Sequence, residues 1–129
     1  MITVRVPLRV SFAGGGSDYT SFFSTSPGFI VGTTINVYVY VMGIEHTALA
    51  DHEYKLTYRK TDEASHFEKL EHPVAAPSFS LVDWKGPGVH ISTMADIPGG
   101  TGMGSSSAFT VGLLHLLTAM QGAPWGSEE

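Results

Sequence analysis

The chain has 129 residues, enough for one modest domain, and 43% of them are hydrophobic. The net charge is −5 and the seven Lys and Arg are scattered, which excludes the clustered basic surface of a nucleic-acid-binding protein. The absence of cysteine excludes disulfides, cysteine metal sites and thiol catalysis. We expect a cytoplasmic protein, since "MITVRVPLRV" has no apolar core of a signal peptide.

Alternation of apolar and polar residues predicts several strands, and their ranges are 2–6, 8–12, 29–35, 36–44, 54–60 and 88–96. Pro7 separates the first two strands, and a break is expected near Asn36. The segment around Asn36 is the most apolar of the chain, but polar residues interrupt it. It therefore predicts strands rather than a membrane helix, and no membrane partner is expected.

Three helices are predicted, over 18–23, 61–71 and about 105–121. Residues 72–79 are predicted as a loop because of their prolines, with a helical turn left open. The last helix has apolar residues at a spacing of three to four, which makes a buried face; they are Phe109, Leu113, Leu116, Leu117 and Met120. Gly122 is in the position of a helix-ending glycine, and Pro124 follows as a stop.

The final "GSEE" is typical of a helix start, because a serine precedes two acidic residues. This favours the N-terminal part of a longer protein. The alternative is a frayed polar tail.

A glycine- and serine-rich loop, "PGGTGMGSSSA", leads directly into the last helix. Glycines allow close approach to the main chain, successive amides can surround an anion, and a helix N-terminus adds free N–H groups. The loop has no lysine, so it is not a Walker A loop, and it does not match G-x-G-x-x-G. The pattern predicts anion binding at a helix start. The alternative is a tight strand-to-helix turn with a serine cap.

A second glycine run occurs in "PLRVSFAGGGSDY", near the N-terminus. Asp18 suits hydrogen bonds from sugar hydroxyls, and the planar, always charged guanidinium of Arg9 suits phosphate. Alternatively, Arg9 is a surface charge at a strand end and Asp18 is a helix cap.

Together the two stretches resemble the GHMP small-molecule kinases. Residues 98–108 resemble the phosphate-loop motif of the family, and "RVSFAGGGSD" resembles its N-terminal motif in the branch of heptose 7-phosphate and fucose kinases. The galactokinase branch is less similar, because it has a Glu-His pair where this chain has Gly15 and Gly16. The resemblance spans residues 3–121. It implies an α+β fold, the N-terminal lobe of these kinases (ribosomal protein S5 domain 2-like), with a mixed or antiparallel sheet and a few helices.

The resemblance also implies a site that uses ATP and Mg²⁺ to phosphorylate a sugar or sugar phosphate. The residues implied for ATP are Pro98, Gly99, Gly100, Thr101, Gly102, Met103, Gly104, Ser105, Ser106 and Ser107. Ser106 would lie nearest Mg²⁺. The residues implied for the sugar are Arg9, Gly14, Gly15, Gly16, Ser17 and Asp18. Arg9 would also lie near the transferring phosphate and is the one catalytic residue that the resemblance places here.

The chain departs from the family where the catalytic Asp and the C-terminal glycine motif would follow. We therefore expect residues 1–129 to form a single partial domain without a C-terminal lobe, inactive as an enzyme by itself. Asp83 and Asp96 lie outside any family motif and receive no role. His90 and His115 are interpreted as structural or surface residues, and Trp84 as a possible contributor to an adenine pocket.

The alternative to a kinase fragment is a catalytically dead module that binds a nucleotide or sugar, or that self-associates. A homo-oligomer that covers the apolar face of a missing lobe is expected under either hypothesis.

Overall fold

The computed structural model describes residues 1–46 and 53–123. Its strands are β1 (Ile2–Ala13), β2 (Val31–Glu45), β3 (Tyr54–Thr57), β4 (Thr61–Ala64) and β5 (Val89–Ala95). Its α-helices are α1 (Thr20–Phe23), α2 (Ala75–Leu81) and α3 (Ser105–Met120), and a 3₁₀ turn spans Phe67–Lys69. None of the helices in the described ranges is long and apolar enough to cross a bilayer.

The strands form one five-stranded sheet in the order β1-β2-β5-β3-β4. Neighbours are antiparallel except β3 and β5, which run parallel. The prediction of an α+β fold with a mixed sheet is confirmed. The β5–loop–α3 connection carries the glycine-rich loop from the sheet to the start of the longest helix.

Helix α3 packs closely on β1 and β2, because two glycines allow it to approach. A Cβ on Gly112 would lie 2.8 Å from Val41 Cγ2, and one on Gly43 would lie 2.8 Å from Leu116 Cδ2. Leu113 and Leu116 are fully buried in this contact. Their burial holds the helix, and therefore its N-terminus, against the sheet.

The predicted helix over 61–71 is wrong. Residues 61–64 form β4, which pairs with β3, and burial alternates along it so that Asp62 and Ala64 face inward. The residues are good helix formers, but pairing with β3 and packing of the inward side chains override that local preference.

The predicted loop over 72–79 is wrong in part, because α2 begins at Ala75. Pro77 lies in the first turn of this helix, where a backbone N–H has no intrahelical acceptor, so its absence costs little. Residues 2–13 are one strand rather than two, and Pro7 is tolerated because β1 lies at the sheet edge.

The predicted break near Asn36 is a register shift within a continuous β2. Pro7 lies opposite Tyr38, whereas Arg9 lies opposite Thr34. Arg9, directly after the shift, makes a contact with the glycine-rich loop that is described below. The end of α3 is confirmed, since Gly122 has a φ of +76°. Pro124 and "GSEE" lie outside the described residues.

Candidate functional site

Three glycines give the β5–α3 loop its conformation. Gly100, Gly102 and Gly104 have φ values of +89°, +73° and +75°, which L side chains rarely adopt. A Cβ on Gly100 or Gly102 would meet nothing within 4 Å, so these two glycines are required by backbone conformation rather than by space. The loop therefore presents bare main chain to its surroundings.

The start of α3 has no side-chain cap. Gly104 is the N-cap residue and no side chain bonds to the first turn. Within the described part of the chain, the hydroxyls of Ser105, Ser106 and Ser107 make no hydrogen bond. The serine cap that the alternative of a structural turn predicts is therefore not formed. The first-turn amides and three hydroxyls remain available to an anion at the positive end of the helix.

Arg9 joins the N-terminal motif to this loop. Its backbone N–H donates a hydrogen bond of 3.2 Å to the carbonyl of Met103. Its side chain lies across Gly104, with Nε 3.3 Å from the position that a Cβ there would occupy. Arg9 is exposed, so its guanidinium can reach a ligand at the helix start.

The first glycine run forms a turn that is fastened to the start of β2. Gly14 has a φ of +84°, and a Cβ on it would collide with the Phe29 carbonyl. The hydroxyl of Ser17 lies 2.8 Å from the Gly14 carbonyl oxygen and accepts a 3.1 Å hydrogen bond from the Phe29 N–H. Ser17 thus holds the turn together. The exposed carboxylate of Asp18 makes no hydrogen bond or ion pair with the described residues.

A cavity of about 500 Å³ lies beside the glycine loop and the start of α3. Its polar lining includes Ser105 and Ser106, and its aromatic lining includes Tyr58, His72 and Phe109. The ring of His72 contacts both Tyr58 and Phe109 edge-on, with centroids 4.8 and 5.0 Å apart. A cavity lined mainly by apolar and aromatic side chains, with a few polar groups, is the usual form of a small-molecule site.

His72 is held in one tautomer. Its Nδ1 accepts a hydrogen bond of 3.3 Å from the Val74 N–H, and burial lowers the pKa of His72 from its usual value. The neutral ring therefore carries its proton on Nε2. The buried carboxylate of Asp62 fixes the adjoining backbone, because it accepts hydrogen bonds of 2.7 and 3.1 Å from the amides of Glu71 and His72.

A second arginine lies at the other end of the glycine loop. Arg59 Nη2 is 2.8 Å from the position that a Cβ on Gly99 would occupy. Sequence reasoning missed Arg59, Asp62 and His72. The one signal was that Arg59 and Lys60 are the only adjacent basic residues of the chain.

Residues 66–129 match the family model "GHMP kinases N terminal domain". Residues 66–129, just under half of the chain, are therefore similar to the N-terminal domain of GHMP kinases. Among curated proteins, it is 25% identical over 141 aligned residues to the D-glycero-alpha-D-manno-heptose 7-phosphate kinase of Campylobacter jejuni. That alignment covers 99% of this chain and 40% of the relative, so the chain spans less than half of the relative's length.

Solved structures show the same fold as this chain. A D-glycero-D-manno-heptose 1-phosphate kinase from Bacteroides thetaiotaomicron aligns with a TM-score of 0.81 at 24% identity, covering 100% of this chain and 45% of that one. The mevalonate kinase of Methanococcus jannaschii aligns with a TM-score of 0.75 at 13% identity, covering 98% and 42%.

The residues predicted to contact ATP lie in two environments. Most of the loop is exposed, including Pro98, Gly99 and Thr101. Met103 instead packs its half-buried side chain against the core and gives its carbonyl to Arg9. Met103 therefore anchors the loop, and its predicted contact with a ligand would have to come from the backbone.

Magnesium fits this domain only together with a nucleotide. No group of three or more His, Cys, Asp or Glu among residues 1–46 and 53–123 could hold a metal ion. The exposed hydroxyl of Ser106 could provide one oxygen ligand. The other ligands would have to be phosphate oxygens and water.

Asp96, Asp83 and Trp84 each make contacts within the fold. Asp96 accepts a 2.8 Å hydrogen bond from the Tyr38 N–H, and Asp83 pairs with Lys85 at 2.6 Å. Trp84 is buried against Phe79 and donates its indole N–H to the Pro87 carbonyl. Trp84 is not part of the cavity lining, so its interpretation as an adenine contact is not supported.

Half-buried His90 lies on β5, 3.3 Å from the Thr57 hydroxyl, in agreement with a structural role.

Proposed function

We propose that this domain binds ATP at the β5–α3 loop and serves a kinase that phosphorylates a sugar phosphate. The observation that carries the proposal is the Arg9–Met103 hydrogen bond, since it brings the N-terminal motif to the glycine loop. The site then combines bare loop amides, an uncapped helix start and a guanidinium. These are the groups that phosphoryl transfer requires for positioning and charge neutralisation.

Each group has a distinct proposed task. The amides of residues 104–107 and the hydroxyls of Ser105 and Ser106 hold phosphate oxygens. Arg9 neutralises charge near the transferring phosphate, and Asp18 accepts hydrogen bonds from sugar hydroxyls. ATP with Mg²⁺, when bound, supplies the phosphoryl group and shields its charge, with Ser106 as the protein ligand to the metal.

The acceptor is proposed to be a heptose phosphate. This rests on the relatives, whose names give heptose 7-phosphate and heptose 1-phosphate kinases. The turn at Gly14 and the open carboxylate of Asp18 support a polyhydroxylated ligand beside the phosphate loop.

The 129 residues are proposed to act as one partial domain, a nucleotide-binding lobe without turnover of its own. The Asp that would take the proton from the attacking hydroxyl has no counterpart in the motifs of this chain. Of the acidic groups weighed for that role, Asp96 is used by the Tyr38 backbone and Asp83 by Lys85. Measured sugar phosphorylation by the 129 residues alone would contradict this part.

The test is an isothermal titration of the chain with ATP, with and without Mg²⁺, and with a heptose 7-phosphate. Saturable ATP binding that strengthens with Mg²⁺ supports the nucleotide site. Calorimetry is preferable to tryptophan fluorescence because Trp84 is buried away from the cavity. Absence of ATP binding up to millimolar concentrations would contradict the proposal.

A second candidate is a self-associating module, and one surface favours it. We call this surface the apolar rim; its members are Phe12, Tyr19, Phe22, Phe23, Phe29, Ile30 and Val31, all between 42% and 74% exposed. The rim lies on the first glycine turn and the segments fastened to it. Large exposed apolar patches commonly mark protein interfaces. A second copy covering the rim would agree with the expected homo-oligomer.

A further inference from the structure

The basic side chains form two groups, those that contact an acidic or aromatic partner and those that have no acidic partner among the described residues. Lys55, Lys60 and Lys85 form ion pairs with Glu63, Glu71 and Asp83, and Arg5 lies over the ring of Tyr38. Arg9, Arg59 and Lys69 have no acidic partner among the described residues. Two of these three, the arginines, lie on the glycine loop, one at each end.

The side chain of Arg59 lies where it does because residue 99 is a glycine. Gly99 has a negative φ, so backbone conformation does not require glycine there. A Cβ would however lie 2.8 Å from Arg59 Nη2 and 3.7 Å from its Cζ. The missing side chain of Gly99 therefore leaves room for the guanidinium to lie against the loop.

Arg59 also lines the cavity at the start of α3. It borders the same space as Ser105 and Ser106, and it lines the neighbouring cavity of about 490 Å³ as well. Two guanidiniums that have no acidic partner in the described part of the chain, together with the positive end of a helix, converge on one short loop. Like charges in this arrangement repel each other, and an extended anion would relieve that repulsion.

We propose that Arg59 is a phosphate-binding residue that selects a di- or triphosphate chain over a monophosphate. The inference rests on the proposed function and deepens it. Arg9 and Arg59 mark opposite ends of the loop, at Gly104 and Gly99, so a single phosphate group would satisfy one of them and a longer chain can engage both. The planar guanidinium of Arg59 can form two parallel hydrogen bonds to phosphate oxygens.

The experiment compares wild-type chain, Arg59→Gln and Lys69→Gln in calorimetric titrations with ATP, ADP, AMP and adenosine. Lys69→Gln is the matched control, because it removes the same charge from an exposed residue that does not line the cavity. We expect Arg59→Gln to weaken ATP and ADP binding by about 10- to 100-fold and to leave adenosine binding unchanged. Lys69→Gln should change each affinity by less than about twofold.

Gly99→Ala is a second variant, which retains the positive charge of Arg59 but changes the position of its guanidinium. Its Cβ displaces the guanidinium, so ATP affinity should fall while the melting temperature stays near that of the wild-type chain. Equal ATP affinity in Arg59→Gln and wild type would overturn the inference and leave the proposed function standing. Equal losses for ATP and adenosine would also overturn it, because Arg59 would then contact the nucleoside. A wild-type chain that binds no ATP would overturn both.

Discussion

The backbone N–H of Arg9 donates to the carbonyl of Met103, at 3.2 Å, although the two residues are near opposite ends of the described chain. The bond follows the register shift between β1 and β2, where Pro7 and Arg9 lie opposite Tyr38 and Thr34. It fixes the β5–α3 loop against the strand that leads to the first glycine turn. One main-chain contact thus holds two motifs together that are distant along the chain.

Replacing Gly104 with alanine should abolish tight ATP binding. The residue has a φ of +75°, and a Cβ would lie 3.3 Å from Arg9 Nε, so the change disturbs both the loop and the arginine. Gly122→Ala is the control, since Gly122 has a φ of +76° with nothing within 4 Å of a Cβ. Both variants should lose about 1 kcal/mol of unfolding free energy. Only Gly104→Ala should lose ATP affinity in calorimetry; equal affinity in both variants would argue against the loop as the site.

The stability of the domain should depend on His72 between pH 7 and pH 5. Burial lowers the pKa of His72 in the folded state, so as pH falls through about 6.5 the unfolded chain binds a proton that the folded chain does not. This difference in proton binding therefore lowers the free energy of unfolding as the pH falls. Above that window both states have a neutral His72, and the effect disappears. Urea titrations of His72→Asn should show a shallower pH dependence than wild type. His66→Asn, at an exposed residue, is the control.

Asp62→Ala should destabilise the domain by about 2 kcal/mol, because it removes the acceptor of the Glu71 and His72 amides. Asp62→Asn retains a side-chain oxygen and should cost less. Chemical denaturation measures both, with Glu68→Ala as the control at an exposed acidic residue. If Asp62→Ala unfolds at the same denaturant concentration as this control, the carboxylate does not hold the segment before α2.

Phe29→Ser should weaken self-association of the chain by about 10-fold or more, because Phe29 is 74% exposed on the apolar rim and would be buried in a dimer. Leu81→Ser is matched in exposure, at 69%, but lies at the end of α2 outside the rim. Sedimentation velocity across micromolar concentrations compares the two. A wild-type chain that stays monomeric throughout, or an equal effect of both variants, would count against the rim as an interface.

Much of the fold could be predicted because its signals are local. The apolar spacing from Phe109 to Leu117 defines the buried face of α3, and Gly122 ends that helix with a positive φ. The alternation of β5 buries Val89 and Ile91. Residues 61–64 gave the opposite result: their composition favours a helix, but a strand forms because β3 offers a partner edge.

The sequence by itself determined the two glycine turns and the helix start that follows the second of them, because positive φ values and open amides are properties of a few consecutive residues. Only the tertiary structure decided which side chains surround them. Arg59 reaches Gly99 because β3 runs parallel to β5, and His72 enters the cavity because Asp62 holds its backbone. These contacts join residues that are distant along the chain, and no local pattern encodes such a distance.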